Sequence, residues 1–225
     1  TVTLSNADNS FEYMLTGGEL ASQFTDIILI DNKEGSGRGR ELAYYINEYD
    51  VFNIKAEGSM ATSATNVFIS VESNFISDVS QNSLEPEVNL NVELADFAAD
   101  STKPTLVSFE ELDLTDGFLT LRFNEPIDAA QFTIANGLIF SDNGGSTYSV
   151  RDAIVEYGEV DVEQGGIPKS RVHIYLSDDD RLQIALTPGL LTNRDTSYVQ
   201  LQSDVIADMQ GNAIDTTAFL LLKEN

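Results

Sequence analysis

The residues of this chain with types and spacing suited to chemistry are mostly carboxylates placed where predicted strands end. Glu125 and Asp128 follow directly after a predicted strand, and Asp208 and Asn212 bracket a tight turn. Calcium prefers hard oxygen ligands supplied by loops, at a coordination number of roughly six to eight. The pattern therefore predicts calcium sites at these loops, with the candidate ligands Asp96, Asp100, Glu125, Asp128, Asp208 and Asn212.

Each of these acidic positions also has an ordinary structural explanation. An aspartate such as Asp208 commonly accepts hydrogen bonds from backbone N–H groups of its own turn. Asp96 and Asp100 flank a predicted linker, where a solvated carboxylate is as well accommodated as a bound cation. The run from Asp178 to Asp180 is typical of the first turn of a helix. No stretch has the spacing of the helix–loop–helix calcium motif, so the sequence leaves both explanations open.

Catalytic chemistry finds little support in the sequence. His173 is the single histidine and there are no cysteines, which excludes thiol nucleophiles, thiolate zinc sites and histidine-rich metal sites. The alternation of residue types around His173 places its side chain on the face of the strand opposite to Val172 and Ile174, and hence toward solvent. No glycine-rich phosphate loop occurs. We therefore predict that the chain is not an enzyme and has no catalytic residues.

Three tyrosines of the first half, Tyr44, Tyr45 and Tyr49, are the best candidates for a ligand-binding surface. Aromatic rings that are apolar on their faces and polar at their edge are enriched where proteins meet partners. An exposed row of such rings would suit a carbohydrate-binding module. The alternative is that the three rings pack inside a hairpin, and the sequence does not decide between the two.

The charge balance limits the partners of the chain. Its 225 residues include 37 acidic and 12 basic side chains, for a formal net charge of −25, while 42% of the residues are hydrophobic. That hydrophobic content predicts a globular chain. The negative field repels nucleic acid and anionic membrane surfaces and attracts divalent cations, although a merely solubilising surface explains it too. No apolar run approaches the roughly 20 residues that cross a bilayer, so we predict no membrane insertion.

The elements that must position these residues are mainly short strands. Residues 117–123 and 171–176 alternate between apolar and polar side chains, which is typical of half-buried strands. One short helical turn is predicted from Asp178 to Leu186, with Ser177 or Asp178 as its cap and with Leu182 and Leu186 four positions apart on one face. Its counterpart in the first copy is predicted from Glu48 to Ala56. Short strands separated by turns predict an all-β fold of immunoglobulin-like β-sandwich type with little helix. The predicted inward residues are Leu119, Leu121, Phe123, Val172, Ile174 and Leu176.

The chain also contains two diverged copies of one repeat. Residues 130 positions apart match in type; the pairs include Asp50 and Asp180, Ile54 and Ile184, Asp78 and Asp208, and Asn82 and Asn212. The small, polar stretch from Ala98 to Thr105, which contains Pro104, is suited to a linker between domains. We therefore predict one repeat at residues 1–98 and a second at 99–225.

Three segments of the second copy, 100–106, 112–128 and 208–212, carry a family resemblance. They resemble the bacterial immunoglobulin-like repeats of very large surface proteins, and similar repeats occur in giant secreted adhesins of marine bacteria and in adhesive trail proteins of diatoms. The resemblance covers residues 101–225 and, more weakly, 1–100. It implies an immunoglobulin-like sandwich in a secreted or cell-surface protein, with a calcium role better matched in the second copy, because the first has Ser80–Asn82 where the family has glycine.

The expected function is a structural or adhesive extracellular module of a larger repeat protein, stiffened by calcium. Expected partners are calcium, surface glycans or neighbouring repeats, and a carbohydrate-binding module is the alternative. Residues 1–4 already have the pattern of a strand, so we expect a mature piece of a longer chain. The first copy lacks a counterpart to residues 101–138. It is either truncated, and completed in the parent protein by strands upstream of Thr1, or compensated by the longer insertion around Gly35 to Tyr45. We expect it to be the less stable half, with an exposed sheet edge.

Overall fold

The computed structural model describes residues 1–16, 46–73, 75, 77, 80–91, 97–142, 145–160 and 166–223. The described residues confirm a mostly β protein, with three four-stranded antiparallel sheets and two short α-helices. The chain divides into two compact units. Unit 1 contains Thr1–Ile54 and Ser59–Ala99, and unit 2 contains Lys55–Gly58 and Asp100–Asn225. No helix in the described part of the chain is long and apolar enough to span a membrane.

The described elements of unit 1 are β1 (Val2–Ser5), β2 (Glu12–Met14), α1 (Glu48–Glu57, whose last turn groups with unit 2), β3 (Phe68–Val71) and β4 (Glu87–Asn91). The four strands form one sheet with the order β2-β1-β3-β4. Among the described residues of this unit, Leu4, Ile54 and Met60 form a buried apolar cluster. Strand β4 is exposed along its whole length, and Val88 and Leu90 are among its exposed residues.

Unit 2 contains two sheets whose strands contribute to one hydrophobic core. Its elements are β5 (Leu106–Asp113), β6 (Phe118–Phe123), β7 (Leu138–Ser141), β8 (Thr147–Ser149), β9 (Ala153–Tyr157), β10 (Arg171–Leu176), α2 (Asp178–Leu186), β11 (Tyr198–Leu201) and β12 (Leu220–Leu221). One sheet has the order β5-β6-β10-β9 and the other the order β12-β11-β7-β8. Helix α2 follows β10 directly.

The core positions predicted from the alternation are confirmed. Strands β6 and β10 pair antiparallel, with Leu121 opposite Val172 and Leu119 opposite Ile174. All four of these side chains are 0% exposed. Because side chains alternate across a strand, the polar residues between them lie on the outer face of the sheet. His173 is on that outer face, as predicted, and it is half-buried rather than free in solvent.

Helix α2 occupies the predicted residues but buries a different face from the one its leucines suggest. Leu182 and Leu186 are 55% and 65% exposed, whereas Asp180 and Ile184 are 0% and 1% exposed. The helix begins after Ser177, whose hydroxyl accepts a hydrogen bond from the Asp180 backbone N–H. The position of the helix is therefore determined by a buried carboxylate and one isoleucine, and the leucines face outward.

The described elements of unit 1 recur in unit 2. Strands β3 and β11 begin at Phe68 and Tyr198, and the 3-10 helices that precede them begin at Ala64 and Arg194, which is the same spacing as the sequence repeat. The sheet of unit 1 also matches the second sheet of unit 2 in strand order, with β2, β1, β3 and β4 corresponding to β8, β7, β11 and β12. Residues 17–45, where counterparts of β9 and β10 would fall, lie outside the described residues.

A buried aspartate in the first turn of each helix is part of this recurrence. Asp180 is 0% exposed and accepts a 2.6 Å hydrogen bond from the Tyr148 hydroxyl. Asp50 is 0% exposed and accepts a 2.9 Å hydrogen bond from the Tyr13 hydroxyl. Both carboxylates also accept from backbone N–H groups just after the strand that carries the tyrosine. The carboxylate therefore joins the helix to that strand in each unit.

Candidate metal centre

Three carboxylates of unit 2 meet in one place, and we call them the acidic cluster: Asp100, Glu125 and Asp208. Each offers one oxygen, and these oxygens all lie within 4.8 Å of one another. All three residues were among the six ligands predicted from the sequence. Their arrangement could hold a metal ion, and it was not visible in the sequence that these three of the six would come together.

The backbone after β6 brings Glu125 to the cluster. The strand ends at Phe123, and Ile127 forms an isolated antiparallel bridge with Asp208. The Asp128 backbone N–H donates a 2.9 Å hydrogen bond to the Ala207 carbonyl oxygen. Ile127 is 0% exposed, so its burial in the core fixes this segment beside the turn that carries Asp208.

Asp208 organises the tight turn that follows it. Its Oδ1 accepts 2.8 Å hydrogen bonds from the backbone N–H groups of Gln210 and Asn212. Gly211 has a φ of 88°, a left-handed conformation that glycine adopts at little cost. The structure thus confirms that Asp208 caps its own turn. It also places the same carboxylate in the acidic cluster, so capping and membership of the cluster are not alternatives.

Asn212 supports the cluster through its amide group. Its Nδ2 donates to Asp208 Oδ2 at 2.8 Å and to the Asp100 carbonyl oxygen at 3.2 Å. These two hydrogen bonds tie the start of unit 2 to the turn. The Asp100 side chain in turn accepts a 3.0 Å hydrogen bond from the Thr102 backbone N–H.

Three carboxylates that are buried close together are energetically unfavourable when all are ionised. Glu125 and Asp208 are each 2% exposed, and the Asp100 side chain is 16% exposed. Glu125 Oε1 is buried and has no hydrogen-bond partner within the described part of the chain. Two ionised carboxylates within 4.8 Å repel each other by about 3 kcal/mol at an effective dielectric constant of about 20. A nearby positive charge would offset this repulsion.

Lys55, in the last turn of α1, supplies one such charge and was not anticipated from the sequence. Its Nζ lies 2.6 Å from Asp100 Oδ2 and 2.9 Å from Glu125 Oε2. One ammonium faces three carboxylates, so a negative charge excess remains. In the sequence, Lys55 stands out only as a basic residue in an acidic chain. The repeat does not point to it either, because its counterpart in the second copy is Ala185.

The pKa values of these groups reflect the competition between burial and pairing. Burial raises the pKa of Glu125 above its ordinary value, and the charges of Asp100 and Asp208 add to this while Lys55 opposes it. Burial acts to raise the pKa of Asp100 as well, but the hydrogen bonds from Lys55 and Thr102 lower it overall. Burial acts to lower the pKa of Lys55, and its two carboxylate partners raise it overall. Of the two carboxylates Asp100 and Glu125, Glu125 is thus the less stabilised anion.

The other sequence-predicted residues lie elsewhere. Asp128 caps the 3-10 helix Ala129–Gln131, accepting from the Ala130 backbone N–H at 3.1 Å and from the Gln131 side chain at 2.7 Å, and it is outside the acidic cluster. Tyr49 lies in the first turn of α1 and is 39% exposed. The remaining candidates, Asp96, Tyr44 and Tyr45, fall outside the described residues, as does Asp78, the counterpart of Asp208 in the first copy.

A second cluster of functional groups lies on the outer face of the sheet β5-β6-β10-β9. The rings of Phe118 and His173 meet edge to face at 5.9 Å, and Tyr175 lies 6.0 Å from Phe118. The hydroxyl of Thr120 is 2.9 Å from His173 Nδ1. Thr120 is 0% exposed, so its hydroxyl is not accessible to a substrate. The exposed member is Tyr175, at 39%.

Comparison of the chain with protein-family models, with curated proteins and with solved structures finds no match.

Proposed function

We propose that this chain is a structural and adhesive module of a larger secreted or cell-surface protein, made of tandem immunoglobulin-like β-sandwich repeats and stabilised by calcium at the acidic cluster. The observation that carries the calcium part is the buried cluster itself, in which the oxygen Glu125 Oε1 has no hydrogen-bond partner in the described part of the chain. A buried, unpaired carboxylate oxygen costs free energy unless something compensates it. A bound cation would do so.

The donor set favours calcium over transition metals. All three side chains offer carboxylate oxygens, which suit hard cations such as calcium and magnesium, whereas zinc and copper prefer nitrogen and sulfur. Calcium accepts irregular geometry, while magnesium demands a nearly ideal octahedron. Ligands from three separate segments, rather than from one dedicated loop, suit the more tolerant ion.

The position of the cluster supports a structural rather than a catalytic role. Asp100, Glu125 and Asp208 are far apart in sequence, so a cation between them would cross-link three parts of unit 2. An ion that binds only the folded state stabilises it by about 2.7 kcal/mol when its concentration is about one hundred times its Kd. The secreted, adhesive setting is supported by the family resemblance of segments 100–106, 112–128 and 208–212.

Thermal unfolding with calcium, with magnesium and with excess EDTA tests the calcium part. We expect calcium to raise the melting temperature of the whole chain, and magnesium to raise it less. In Glu125→Gln, which keeps the side-chain shape and removes one ligand charge, the calcium response should largely disappear. Asp128→Asn is the matched control, because it removes an acid from the same loop but outside the cluster, and it should retain the response.

Equal melting temperatures of the wild-type chain in calcium and in EDTA would refute the calcium part. The structural part has a separate test, which is single-molecule pulling on the chain inserted between marker domains. Calcium should increase the force at which unit 2 unfolds, because the extra bonds would have to break with the fold. An unfolding force that is the same in calcium and in EDTA, despite demonstrated calcium binding, would argue against a load-bearing role.

Carbohydrate binding is a second candidate, favoured by the aromatic cluster on the outer face of the sheet β5-β6-β10-β9. Exposed rings such as Tyr175 offer an apolar face for the C–H groups of a sugar. Glycan-array binding should be lost in Tyr175→Ala if this outer face is the platform, and in Tyr49→Ala if the tyrosines predicted from the sequence form it. Binding to no glycan by the wild-type chain would exclude this candidate.

A further inference from the structure

Lys55 occupies the position that a metal ion bridging Asp100 Oδ2 and Glu125 Oε2 would take. Its ammonium nitrogen is 2.6 Å from Asp100 Oδ2 and 2.9 Å from Glu125 Oε2. Calcium binds carboxylate oxygens at roughly 2.3 to 2.6 Å. A calcium ion bound to the same two oxygens would therefore overlap the position of the ammonium. The two cations cannot both bridge these two oxygens.

The cluster shows that the ammonium is an incomplete counterion. Asp208 forms no ion pair with Lys55 within the described residues, and Glu125 Oε1 stays without a hydrogen-bond partner there. Glu125 is 2% exposed, so water is largely excluded from compensating it. A divalent ion brings twice the charge and takes more oxygen ligands than an ammonium has protons to donate. Exchange of the ammonium for the metal ion would therefore satisfy the cluster more completely.

The side chain of Lys55 is partly exposed to solvent, and the backbone beside it has a contact of its own. The Lys55 side chain is 23% exposed, so its long, flexible stem has access to solvent. The neighbouring carbonyl oxygen of Ala56 accepts a 2.6 Å hydrogen bond from Lys169 Nζ. This hydrogen bond from Lys169 contacts the last turn of α1 independently of the ion pairs of Lys55. Both lysines and Ala56 belong to unit 2.

We propose that Lys55 is the resident cation of the acidic cluster and that a divalent cation binds there only by displacing its ammonium group. This rests on the proposed calcium site and specifies how its affinity is set. Lys55 stabilises the cluster when calcium is scarce and weakens calcium binding by competing for Asp100 and Glu125. The site is then tuned to a calcium-rich surrounding, and its occupation releases a lysine side chain to solvent.

The test measures calcium affinity and the accessibility of Lys55 in the same protein. Isothermal titration with calcium chloride compares the wild-type chain with Lys55→Met and Lys55→Gln. Lys103→Met is the matched control, because it removes the same charge from an exposed ion pair with Asp215. We expect a Kd lower by about tenfold or more in both Lys55 variants, and a Kd within about twofold of wild type in the control. Circular dichroism and melting curves verify that every variant is folded.

Acetylation of amines followed by mass spectrometry provides the second measurement. In the wild-type chain, saturating calcium should increase the labelling rate of Lys55 severalfold and leave that of Lys103 unchanged. Calcium binding to the Lys55 variants but not to the wild-type chain would overturn the inference, since it would show that the ammonium excludes the metal and is not displaced by it.

Two outcomes overturn the inference while leaving the calcium site intact. One is wild-type calcium binding with unchanged labelling of Lys55, and the other is calcium binding that is unchanged or weaker in both Lys55 variants. Absence of calcium binding in the wild type and in both variants would instead refute the proposed calcium site, and the inference would fail with it.

Discussion

Replacement of Asp180 by asparagine tests how much of the stability of unit 2 depends on one buried carboxylate. Oδ1 of Asp180 accepts from the Tyr148 hydroxyl at 2.6 Å and from the Arg151 backbone N–H at 3.0 Å. Oδ2 accepts from the Asp152 backbone N–H at 3.0 Å and from the Ser177 hydroxyl at 2.7 Å. Four donors thus converge on a side chain that is 0% exposed.

The expected loss follows from these four contacts. An asparagine of the same shape turns one oxygen into an NH₂ group, which then faces two donors. The Ser177 hydroxyl can rotate to accept, but the Asp152 N–H has no such freedom and is left without a partner. A stranded buried donor costs about 1–3 kcal/mol, and the donors that remain lose the extra strength of a charged acceptor. We therefore expect Asp180→Asn to lower the free energy of unfolding of unit 2 by about 3 kcal/mol.

Urea unfolding followed by circular dichroism and tyrosine fluorescence measures this change, since the chain contains no tryptophan. The matched control is Asp179→Asn, because the Asp179 side chain is 66% exposed and its only ion pair in the described residues, with Arg151, is 3.5 Å long. That control should change stability by less than about 0.5 kcal/mol. The corresponding substitution in the other unit, Asp50→Asn, should destabilise unit 1. If Asp180→Asn is no less stable than Asp179→Asn, the buried carboxylate does not hold helix α2 in place.

Three further predictions concern single contacts of unit 2. Gly137→Ala should destabilise by about 1–3 kcal/mol, because its Cβ would lie 2.2 Å from a methyl group of Val205; in urea unfolding, Val205→Ala should relieve part of that loss. Burial, and then the hydrogen bond to Asp180, raise the pKa of Tyr148 to about 12. The stability it contributes should be complete below its unfolded pKa of about 10 and be lost as the pH rises from about 10 to about 12. Tyr148→Phe should lose less stability over this range, and the loss that remains comes in part from Tyr157, whose pKa burial also raises. Ser177→Ala removes the N-terminal cap of α2 and should lower the free energy of unfolding by about 1 kcal/mol, measured by the same urea titration.

The parts of the fold that were predictable from the sequence are those encoded by neighbouring residues. The alternation in β6 and β10 identified Leu121 and Ile174 as core residues, because a strand repeats every two residues and its pattern is read locally. The limits of α2 followed from its acidic first turn and the serine before it. The face that α2 buries did not follow, because Leu182 and Leu186 are more apolar than Asp180. That choice depends on Tyr148, which lies far away in sequence.

The acidic cluster shows the same division between local and distant information. That Asp208 would cap a turn could be inferred from its own segment, and the structure confirms it. That Glu125 would meet Asp208 depends on the bridge between Ile127 and Asp208, which joins segments about eighty residues apart. Lys55 comes from another distant segment, 70 residues before Glu125, and no local pattern connects it with the carboxylates it pairs with.

The double role of Asp208 determines which substitution can decide between a turn and a metal site. Its Oδ1 accepts two hydrogen bonds and its Oδ2 accepts one, so Oδ2 keeps a lone pair with which to bind a cation. Asp208→Asn would disturb the turn and the cluster together, so a loss of stability in that variant would be expected under either role. Glu125 caps no turn, and its Oε1 has no hydrogen-bond partner within the described residues. Glu125→Gln therefore changes the cation site without disturbing the turn. The effect of calcium on the stability of this variant is the measurement that distinguishes a calcium site from a self-capped turn beside an ion pair.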